Sequence, residues 1–258
     1  MKRLSIGLAT VLAMLIAAGS AFAAIDTYSG GYSFKGKPGS KSKPAALSFN
    51  QHFALKSAQS GSLTGILTKV KTEISGVKVD AAGFPKCTSG KINSPSNSKF
   101  DKVCPKGALV ATGSIKSQLG TASNWTPTGL SCDPVLDVWN AGPHKLSFFF
   151  RTTAKAQCLN GDITTGAVPA FTATYKQVGS KLLVTIPIPG DVTNPGKGPY
   201  YVAVSSETLN WHSTSSKGKH DITSTGCKGK RHFSYTFSAR TPSGTKETKT
   251  IKGSAACH

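Results

Sequence analysis

The chain has 258 residues and a formal net charge of +20, although only 16% of its residues are charged. Because a typical globular protein has about 25% charged residues, serine, threonine and glycine must cover much of this surface. With 11 aspartates and glutamates in all, the sequence offers few candidates for carboxylate-based catalysis or acidic metal sites. The length suits one large β domain or two small ones.

Residues 1–23 are typical of a secretory signal peptide. Lys2 and Arg3 supply a positive start, residues 4–18 are apolar, and Ala21-Phe22-Ala23 fits an A-x-A cleavage site. We therefore expect a mature chain that begins at Ala24 and is secreted to the extracellular space. No cysteine lies at the junction, so no lipid anchor is expected there, and no later stretch is long and apolar enough to span a bilayer.

Six cysteines follow the predicted cleavage site, and an even number in an exported chain favours disulfides. They are Cys87, Cys104, Cys132, Cys158, Cys227 and Cys257. We predict sequential pairing, because each successive pair brackets one short strand-rich unit. A zinc site is the alternative, but the close Cys or His spacing that zinc prefers is missing.

The first half of the chain alternates between strand patterns and loops. Residues 25–34, 47–55, 65–74, 77–80 and 109–119 are the strand candidates. In residues 65–74 the apolar and threonine side chains fall on one face, and Lys69, Lys71 and Glu73 fall on the other. In residues 109–119, Leu109, Ala111, Gly113 and Ile115 are predicted to share a side.

The most apolar part of the mature chain lies between Cys132 and Cys158. Residues 135–139 and 145–151 predict two strands around a Gly/Pro turn at 140–144. Pairing Leu136 with Phe148, and Val138 with Leu146, gives one purely apolar face: Leu136, Val138, Leu146, Phe148 and Phe150. The other face is mixed, with Val135 opposite Phe149, and carries Asp137, Trp139, Lys145 and Arg151. We interpret this as a core hairpin with one packed face; a ligand platform on Trp139, Lys145 and Arg151 is the alternative.

Later segments repeat the strand and turn pattern. Residues 171–178 and 181–189 flank Gly179-Ser180, a hairpin signal, with Pro187 and Pro189 marking a strand end or an edge. Residues 200–209 and 232–240 and a final stretch from 247 complete about a dozen strands, with no convincing helix after residue 23. The predicted fold is all-β, an antiparallel β-sandwich stapled by disulfides. We expect one domain over residues 24–258, with a possible sub-division near 120–131.

Four segments resemble a known group of proteins. FPKCTSGKI, CPKGALVATGSI, CDPVLDVWNAG and KLSFFFR are similar to segments of exported, uncharacterised β-rich proteins from high-GC Gram-positive bacteria. The resemblance covers most of the mature chain and implies an exported, cysteine-stapled β fold. That group has no assigned activity, so the resemblance implies no catalytic residue.

Searches for catalytic motifs give no convincing result. The chain has no G-x-S-x-G elbow, H-E-x-x-H pair, P-loop or EF-hand loop. S-x-x-K occurs at Ser40–Lys43 and at Ser96–Lys99, in both cases within polar Ser/Lys/Pro stretches. Asp133 and Asp137 are the nearest approach to a glycosidase pair, and we interpret them as a turn residue and a sheet-surface residue. We predict a non-enzymatic protein without catalytic residues or cofactors.

The histidines give only a weak metal signal. His212, His220, Asp221 and His232 are the densest group of potential zinc ligands. Lysines lie beside them and would repel a cation, so we predict no metal site.

The positive charge predicts an anionic partner. Removal of Lys2 and Arg3 lowers the net charge from +20 to +18, and only four residues in the whole chain are arginine. Lysine is a hydrated point charge that favours loose association over specific phosphate recognition, so we expect no nucleic-acid specificity. The expected anion-binding residues are Lys35, Lys37, Lys41, Lys43, Lys217, Lys219, Lys228, Lys230 and Arg231.

The leading hypothesis is therefore a secreted protein that associates with an anionic cell-wall polymer or acidic polysaccharide through lysine-rich loops. One alternative is a carbohydrate-binding module that stacks sugars on Trp125, Trp139 or Trp211. Another is an uncharacterised hydrolase. The sequence leaves the oligomeric state open.

Overall fold

The computed structural model describes residues 26–94, 103–151, 158 and 168–257. The predicted signal peptide and Ser96–Lys99 lie outside the described residues. The strands are β1 Asp26–Gly36, β2 Ala45–Ser57, β3 Ile66–Ser75, β4 Val77–Val79, β5 Leu109–Thr121, β6 Val135–Gly142, β7 Lys145–Arg151, β8 Phe171–Val178, β9 Lys181–Pro187, β10 Tyr200–Trp211, β11 Ser215–Ser216, β12 Lys219–His220, β13 Ile222–Ser224, β14 Lys230–Arg240 and β15 Lys246–Ala256. The helical segments of the described residues are single turns: α1 Ser89–Ile92, α2 Gly190–Thr193, and the 3-10 turns Lys106–Ala108 and Pro195–Lys197.

Thirteen of these strands form one continuous sheet, and every pairing in it is antiparallel. The order is β15-β14-β3-β9-β8-β7-β6-β5-β10-β2-β13-β4, and β1 pairs with the free side of β2. The strands β11 and β12 form a separate small hairpin. Within the described ranges, no helix is long and apolar enough to cross a membrane. The prediction of an all-β antiparallel fold is confirmed.

The long sheet folds over so that its distant strands pack face to face. Seven strands separate β2 from β14 in the sheet order, yet the Phe53 and Phe237 rings lie 5.2 Å apart. Tyr32 of β1 lies 5.0 Å from Phe233 of β14, and Tyr28 stacks on Phe237 at 4.9 Å. These inward-facing rings form the core of a β-sandwich, with each strand contributing alternate residues.

The strongest alternation signals match the structure. In β14, Phe233, Tyr235 and Phe237 are buried and the residues between them are partly exposed. The β8–β9 hairpin turns at Gly179-Ser180, where Gly179 has a φ of 60° that glycine adopts without strain. Strand β9 ends at Pro187, as the prolines indicate.

All three disulfides join sequential cysteines, which confirms the predicted connectivity. They are Cys87–Cys104, Cys132–Cys158 and Cys227–Cys257. None of the six cysteines is free. Strands on both sides of residues 120–131 belong to the same sheet, because β5 pairs directly with β6.

The central hairpin forms, but its predicted register is wrong by two residues. Leu136 pairs with Phe150, and Val138 pairs with Phe148. The turn is shorter than expected, because Gly142 pairs with Lys145 and leaves only Pro143 and His144 between the strands. A shift of two residues keeps every side chain on its predicted face, so the apolar face is unchanged.

The expectation of a single packed face in this hairpin is also wrong. The opposite face is covered by the segment that carries the first disulfide. Trp139 and Phe149 are 6% and 3% exposed and pack with Cys87, Cys104 and Ile92 in a second apolar cluster. Asp137 is buried beside them and forms an ion pair of 2.6 Å with Arg151. Trp139 is therefore not available as part of a ligand platform; of the other two residues, Lys145 is exposed and Arg151 is partly exposed and paired with Asp137.

A bulge moves one residue of β5 to the other side of the sheet. The pairing with β6 is irregular between Leu109 and Ala111. Leu109 consequently packs against the second cluster, while Val110, Ala111 and Ile115 face the main core. The prediction that Leu109 shares a side with Ala111 is wrong, because a bulge breaks the two-residue period.

Candidate functional site

The expected anion-binding residues fall in two parts of the sequence, 35–43 and 217–231, and both parts lie at the same end of the sandwich. The connection from β1 to β2, residues 37–44, ends where β2 begins at Ala45. Strand β13 continues along that end of β2, with Ser224 opposite Ala45. Strand β10 also pairs with β2, and its last residue, Trp211, lies opposite Phe49. The loop that carries β11 and β12 therefore begins at the same end of the sandwich. Residues that are about 180 positions apart in sequence thus meet at one edge.

Hydrogen bonds through Ser224 join these segments. Ser224 Oγ donates to the carbonyl of Pro38 in the β1–β2 connection and accepts from Arg231 Nη2 at 2.5 Å. Arg231 Nη1 also donates to Gly76 O at 2.7 Å and to Gly226 O at 3.3 Å. The buried Arg231 guanidinium therefore joins three connections: the one at Gly76, the one at Gly226 and, through Ser224, the one at Pro38.

This arrangement corrects the prediction that Arg231 binds anions at the surface. Its side chain is 1% exposed, and its guanidinium carbon lies 5.1 Å from the centre of the Phe34 ring. Burial lowers the pKa of Arg231 from its ordinary value. Gly76 is required beside it, because a Cβ there would lie 2.3 Å from Gly226 O. Arg231 is a structural residue of this end of the sandwich.

The lysines themselves are exposed and unneutralised. We call the following eight residues the lysine surface: Lys35, Lys37, Lys41, Lys43, Lys217, Lys219, Lys228 and Lys230. Within residues 26–94, 103–151, 158 and 168–257, none of them forms an ion pair. All eight lysines are exposed, but the prediction that they lie on loops is wrong for three of them, because Lys35 is in β1, Lys219 in β12 and Lys230 in β14.

Nearby carboxylates do not reduce this charge by pairing with the lysine surface. Asp221 is buried and accepts from the backbone and hydroxyl of Thr214, at 2.6 and 2.8 Å. Asp80 contacts Lys78 at 3.9 Å, and Glu73 pairs with Lys181 at 2.6 Å. The acidic side chains of this region are thus occupied by other groups.

A disulfide and a backbone bond hold the segment that carries Lys228 and Lys230. Cys227 is joined to Cys257, the residue after β15. Cys257 N donates to Gly229 O at 3.2 Å. Two lysines are therefore presented on a connection that is tied to the sheet at both sides.

The tryptophans do not form a sugar-stacking platform. Trp139 and Trp211 are each 6% exposed, and Trp211 Nε1 donates to Gln51 Oε1 at 3.2 Å inside the core. Trp125 is half-buried, and its Nε1 donates to Thr64 O at 3.1 Å. The three indoles lie in different places and two of them are buried, so together they form no exposed surface on which a sugar could stack.

The histidine group does not converge into a metal site. His212 Nε2 contacts Leu109 O at 2.8 Å, while His232 lies exposed on β14 opposite Ser254. Across the described part of the chain, no three His, Cys, Asp or Glu side chains are grouped as metal ligands would be.

Ser213, His220 and Asp221 do lie together, but in the wrong order for nucleophilic catalysis. Ser213 Oγ contacts both His220 Nδ1 at 3.4 Å and Asp221 Oδ1 at 3.5 Å. A catalytic triad needs the histidine between serine and carboxylate, whereas here Asp221 contacts the serine itself. The uncharacterised-hydrolase alternative gains no support from these residues.

The other sequence candidates for catalysis have separate partners. Ser40 and Lys43 lie in a tight turn, where Lys43 N donates to Ser40 Oγ at 3.0 Å, and not on the helix that an S-x-x-K enzyme needs. Asp133 pairs with Lys116 at 2.8 Å and Asp137 with Arg151 at 2.6 Å. Each carboxylate therefore serves a local ion pair.

Comparison with known proteins adds no family. No protein-family model matches the chain, and no curated protein matches it.

Sequence reasoning missed a polar group in the core. Gln51 Nε2 donates to Glu207 Oε1 at 2.7 Å, and both residues are buried. A signal was available, because Gln51 alternates in phase with Phe49 and Phe53, and Glu207 with Leu209 and Trp211. The strand period therefore places both side chains inward.

Proposed function

We propose that the protein is exported and that the lysine surface holds it on an anionic extracellular polymer. Phosphate- or carboxylate-bearing cell-wall polymers and acidic polysaccharides are the class of partner. The sequence resemblance to exported proteins of high-GC Gram-positive bacteria supports such a setting. The function is one of association, with no chemical step.

One observation carries this proposal: eight exposed lysines from three separate segments, 35–43, 217–219 and 228–230, meet at one end of the sandwich, and none of them forms an ion pair within the described residues. Like charges that are brought together repel one another, and a bound polyanion would relieve that repulsion. The buried bonds of Arg231 and Ser224 hold the segments in place, so the repulsion does not separate them.

The chemistry of lysine sets the expected character of the binding. Flexible ammonium groups in water contribute little individually and are screened by salt. Binding should therefore weaken with ionic strength, because the Debye length falls from about 10 Å at 0.1 M to about 3 Å at 1 M. No single lysine should dominate.

The test is chromatography of the purified, oxidised protein on immobilised polyanions. Heparin and a poly(glycerol phosphate) teichoic acid provide two different anions, and a neutral dextran resin provides the control. We expect retention on both polyanions at low salt, elution before about 1 M salt, and no retention on dextran. Passage through both polyanion columns at low salt, or equal retention on dextran, would reject the proposal.

A further inference from the structure

An apolar cavity lies inside the sandwich, away from the lysine surface. Its volume is about 70 Å³, and its walls come from both layers. Phe53, Leu67, Phe148, Phe171, Ile186 and Val202 are among the lining side chains. An apolar cavity of about 150 Å³ can stay dry and take up benzene, so one of about 70 Å³ encloses about half of a guest with six non-hydrogen atoms, and the rest of the guest would lie at the rim of the cavity.

A single ionisable side chain lines this cavity among the described residues. Glu207 of β10 is 6% exposed, and its Oε1 accepts from Gln51 Nε2 at 2.7 Å. No donor from the described part of the chain reaches Oε2. This oxygen is therefore free to form a further hydrogen bond, and a guest with a polar group would supply the partner.

The surroundings of Glu207 let it act as either donor or acceptor. Burial raises the pKa of Glu207 to about 7, and the Gln51 hydrogen bond only partly opposes this effect. The Tyr32 and Tyr235 phenols also face this group, and burial raises the pKa of each, so both stay neutral. Near pH 7 the carboxyl group is therefore present in both its protonated and its ionised forms.

The cavity has an apolar rim with access to solvent. Phe150, Ile188, Val192 and Val204 line it and are each only partly buried. The net charge of +20 disfavours approach of a cation, while an anion would be repelled by ionised Glu207. A neutral guest fits these constraints best.

We propose that this cavity binds a small, neutral, mostly apolar molecule whose one hydroxyl or carbonyl group pairs with Glu207 Oε2. The hydrocarbon part fills the space between Phe53, Phe148 and Val202. This site is independent of the lysine surface and adds a second binding activity to the protein.

The test uses three probes of similar size on the full-length oxidised protein: cyclopentanol, cyclopentanone and cyclopentane. Methyl NMR titrations should show shifts at Leu67 and Ile186 for the first two probes, with Val178, which is 50% exposed, as an unshifted reference. Cyclopentanone can only accept a hydrogen bond, so its Kd should rise about tenfold or more from pH 6 to pH 8.5 as Glu207 ionises. Cyclopentanol can also donate, so its Kd should change by less than about threefold.

Two kinds of variant make the assignment specific. In Glu207→Gln the amide oxygen can keep the bond from Gln51, which leaves an N–H donor at the former Oε2 position at every pH. Cyclopentanone binding should then lose its pH dependence. Val192→Phe at the rim should abolish binding, whereas Val178→Phe, which adds the same ring at an exposed position, should not change it.

Each result of these titrations either supports or overturns the proposal. Wall-methyl shifts that disappear in Val192→Phe but persist in Val178→Phe establish the cavity, and the cyclopentanone pH profile establishes Glu207. The absence of shifts at millimolar probe, or a wild-type cyclopentanone Kd that does not change with pH, overturns the proposal. If Glu207→Gln does not fold, the wild-type pH series and the two valine variants still decide the question.

Discussion

Arg231 Nη2 donates a hydrogen bond to Ser224 Oγ across 2.5 Å, and this contact joins β14 to β13 inside one end of the sandwich. The same hydroxyl donates to Pro38 O, so the connection that carries Lys37 and Lys41 is tied to the arginine through a single serine. The buried Arg231 guanidinium thus holds together the segments that carry the exposed lysines.

Replacing this arginine should destabilise the fold without removing a charge. Arg231→Lys loses the forked geometry that reaches Gly76 O, Gly226 O and Ser224 Oγ together. We expect the free energy of unfolding to fall by about 3 kcal/mol, since each hydrogen bond to a charged group contributes about 1.5–3 kcal/mol. Arg240→Lys, at a half-buried position, is the matched control and should cost less than about 1 kcal/mol. Denaturant melts that show equal, small losses would contradict the assigned role of Arg231.

The central hairpin should be sensitive on both of its faces. Phe148 is 1% exposed in the main core, and Phe149 is 3% exposed in the second cluster. Phe148→Ala and Phe149→Ala should each lower the free energy of unfolding by about 3–5 kcal/mol. Lys145→Ala, which truncates an exposed side chain, should cost less than about 1 kcal/mol. A small effect of Phe149→Ala would mean that the second face of the hairpin is open to solvent.

The three disulfides predict the redox state of the mature protein. Thiol titration under denaturing, non-reducing conditions should detect essentially no free thiol, because all six cysteines are paired. The reduced and denatured protein is the positive control and should titrate six thiols. Two or more free thiols in the unreduced sample would be incompatible with this framework.

Glu207 should make the protein less stable as the pH rises. Burial raises its folded-state pKa from 4.5 to about 7, so the folded protein holds a proton that the unfolded chain releases. The free energy of unfolding should therefore fall between about pH 4.5 and pH 7, with Glu207 contributing roughly 3 kcal/mol of the change. Glu207→Gln should remove that contribution and be more stable than the wild type above pH 7. Burial also raises the pKa of Asp26 to about 6, so some decline below pH 6 should remain in the variant. Parallel pH profiles for the two proteins in urea melts would rule out the buried-carboxyl account.

The sequence predicts the strands well wherever burial alone sets the pattern. In β14 the two-residue alternation of Phe233, Tyr235 and Phe237 needs no knowledge of the rest of the fold. The disulfide pairing follows as well, because each cysteine pair closes a local unit. These features depend on neighbours in the sequence.

Features that depend on distant segments are harder to predict. The turn at Pro143-His144 is tighter than the Gly/Pro pattern indicates, which shifts the hairpin register while preserving its faces. The burial of Trp139 depends on the Cys87–Cys104 segment, which approaches from about 50 residues earlier in the chain. Composition alone does not show that a tryptophan on a mixed face will be covered.

The candidate site also combines features that the local sequence predicts with features that depend on distant segments. The lysine-rich connections are predicted as exposed and basic, but their meeting at one end follows from the pairing of β2 with β10 and β13. The position of Arg231 next to Lys230 in sequence predicts that it is exposed with the lysines, which is wrong. Strand alternation, which places Arg231 in phase with Phe233 and Tyr235, gives the correct inward position.

The central claim is that charge at one end of the sandwich, and not total charge, binds polyanions. Three variants each change four lysines to serine. The first changes Lys35, Lys37, Lys41 and Lys43; the second changes Lys217, Lys219, Lys228 and Lys230; the control changes Lys56, Lys197, Lys246 and Lys249, which lie on other parts of the exposed surface. Arg231 is kept in all three, so the anchoring of the connections is preserved.

The most direct measurement is the salt concentration at which each variant elutes from heparin, compared with the wild type. We predict that both lysine-surface variants elute at clearly lower salt, by similar amounts, and that the control shifts much less although it loses the same charge. Elution of all three variants at one shared salt concentration would contradict the account, because total charge and not the lysine surface would then govern binding.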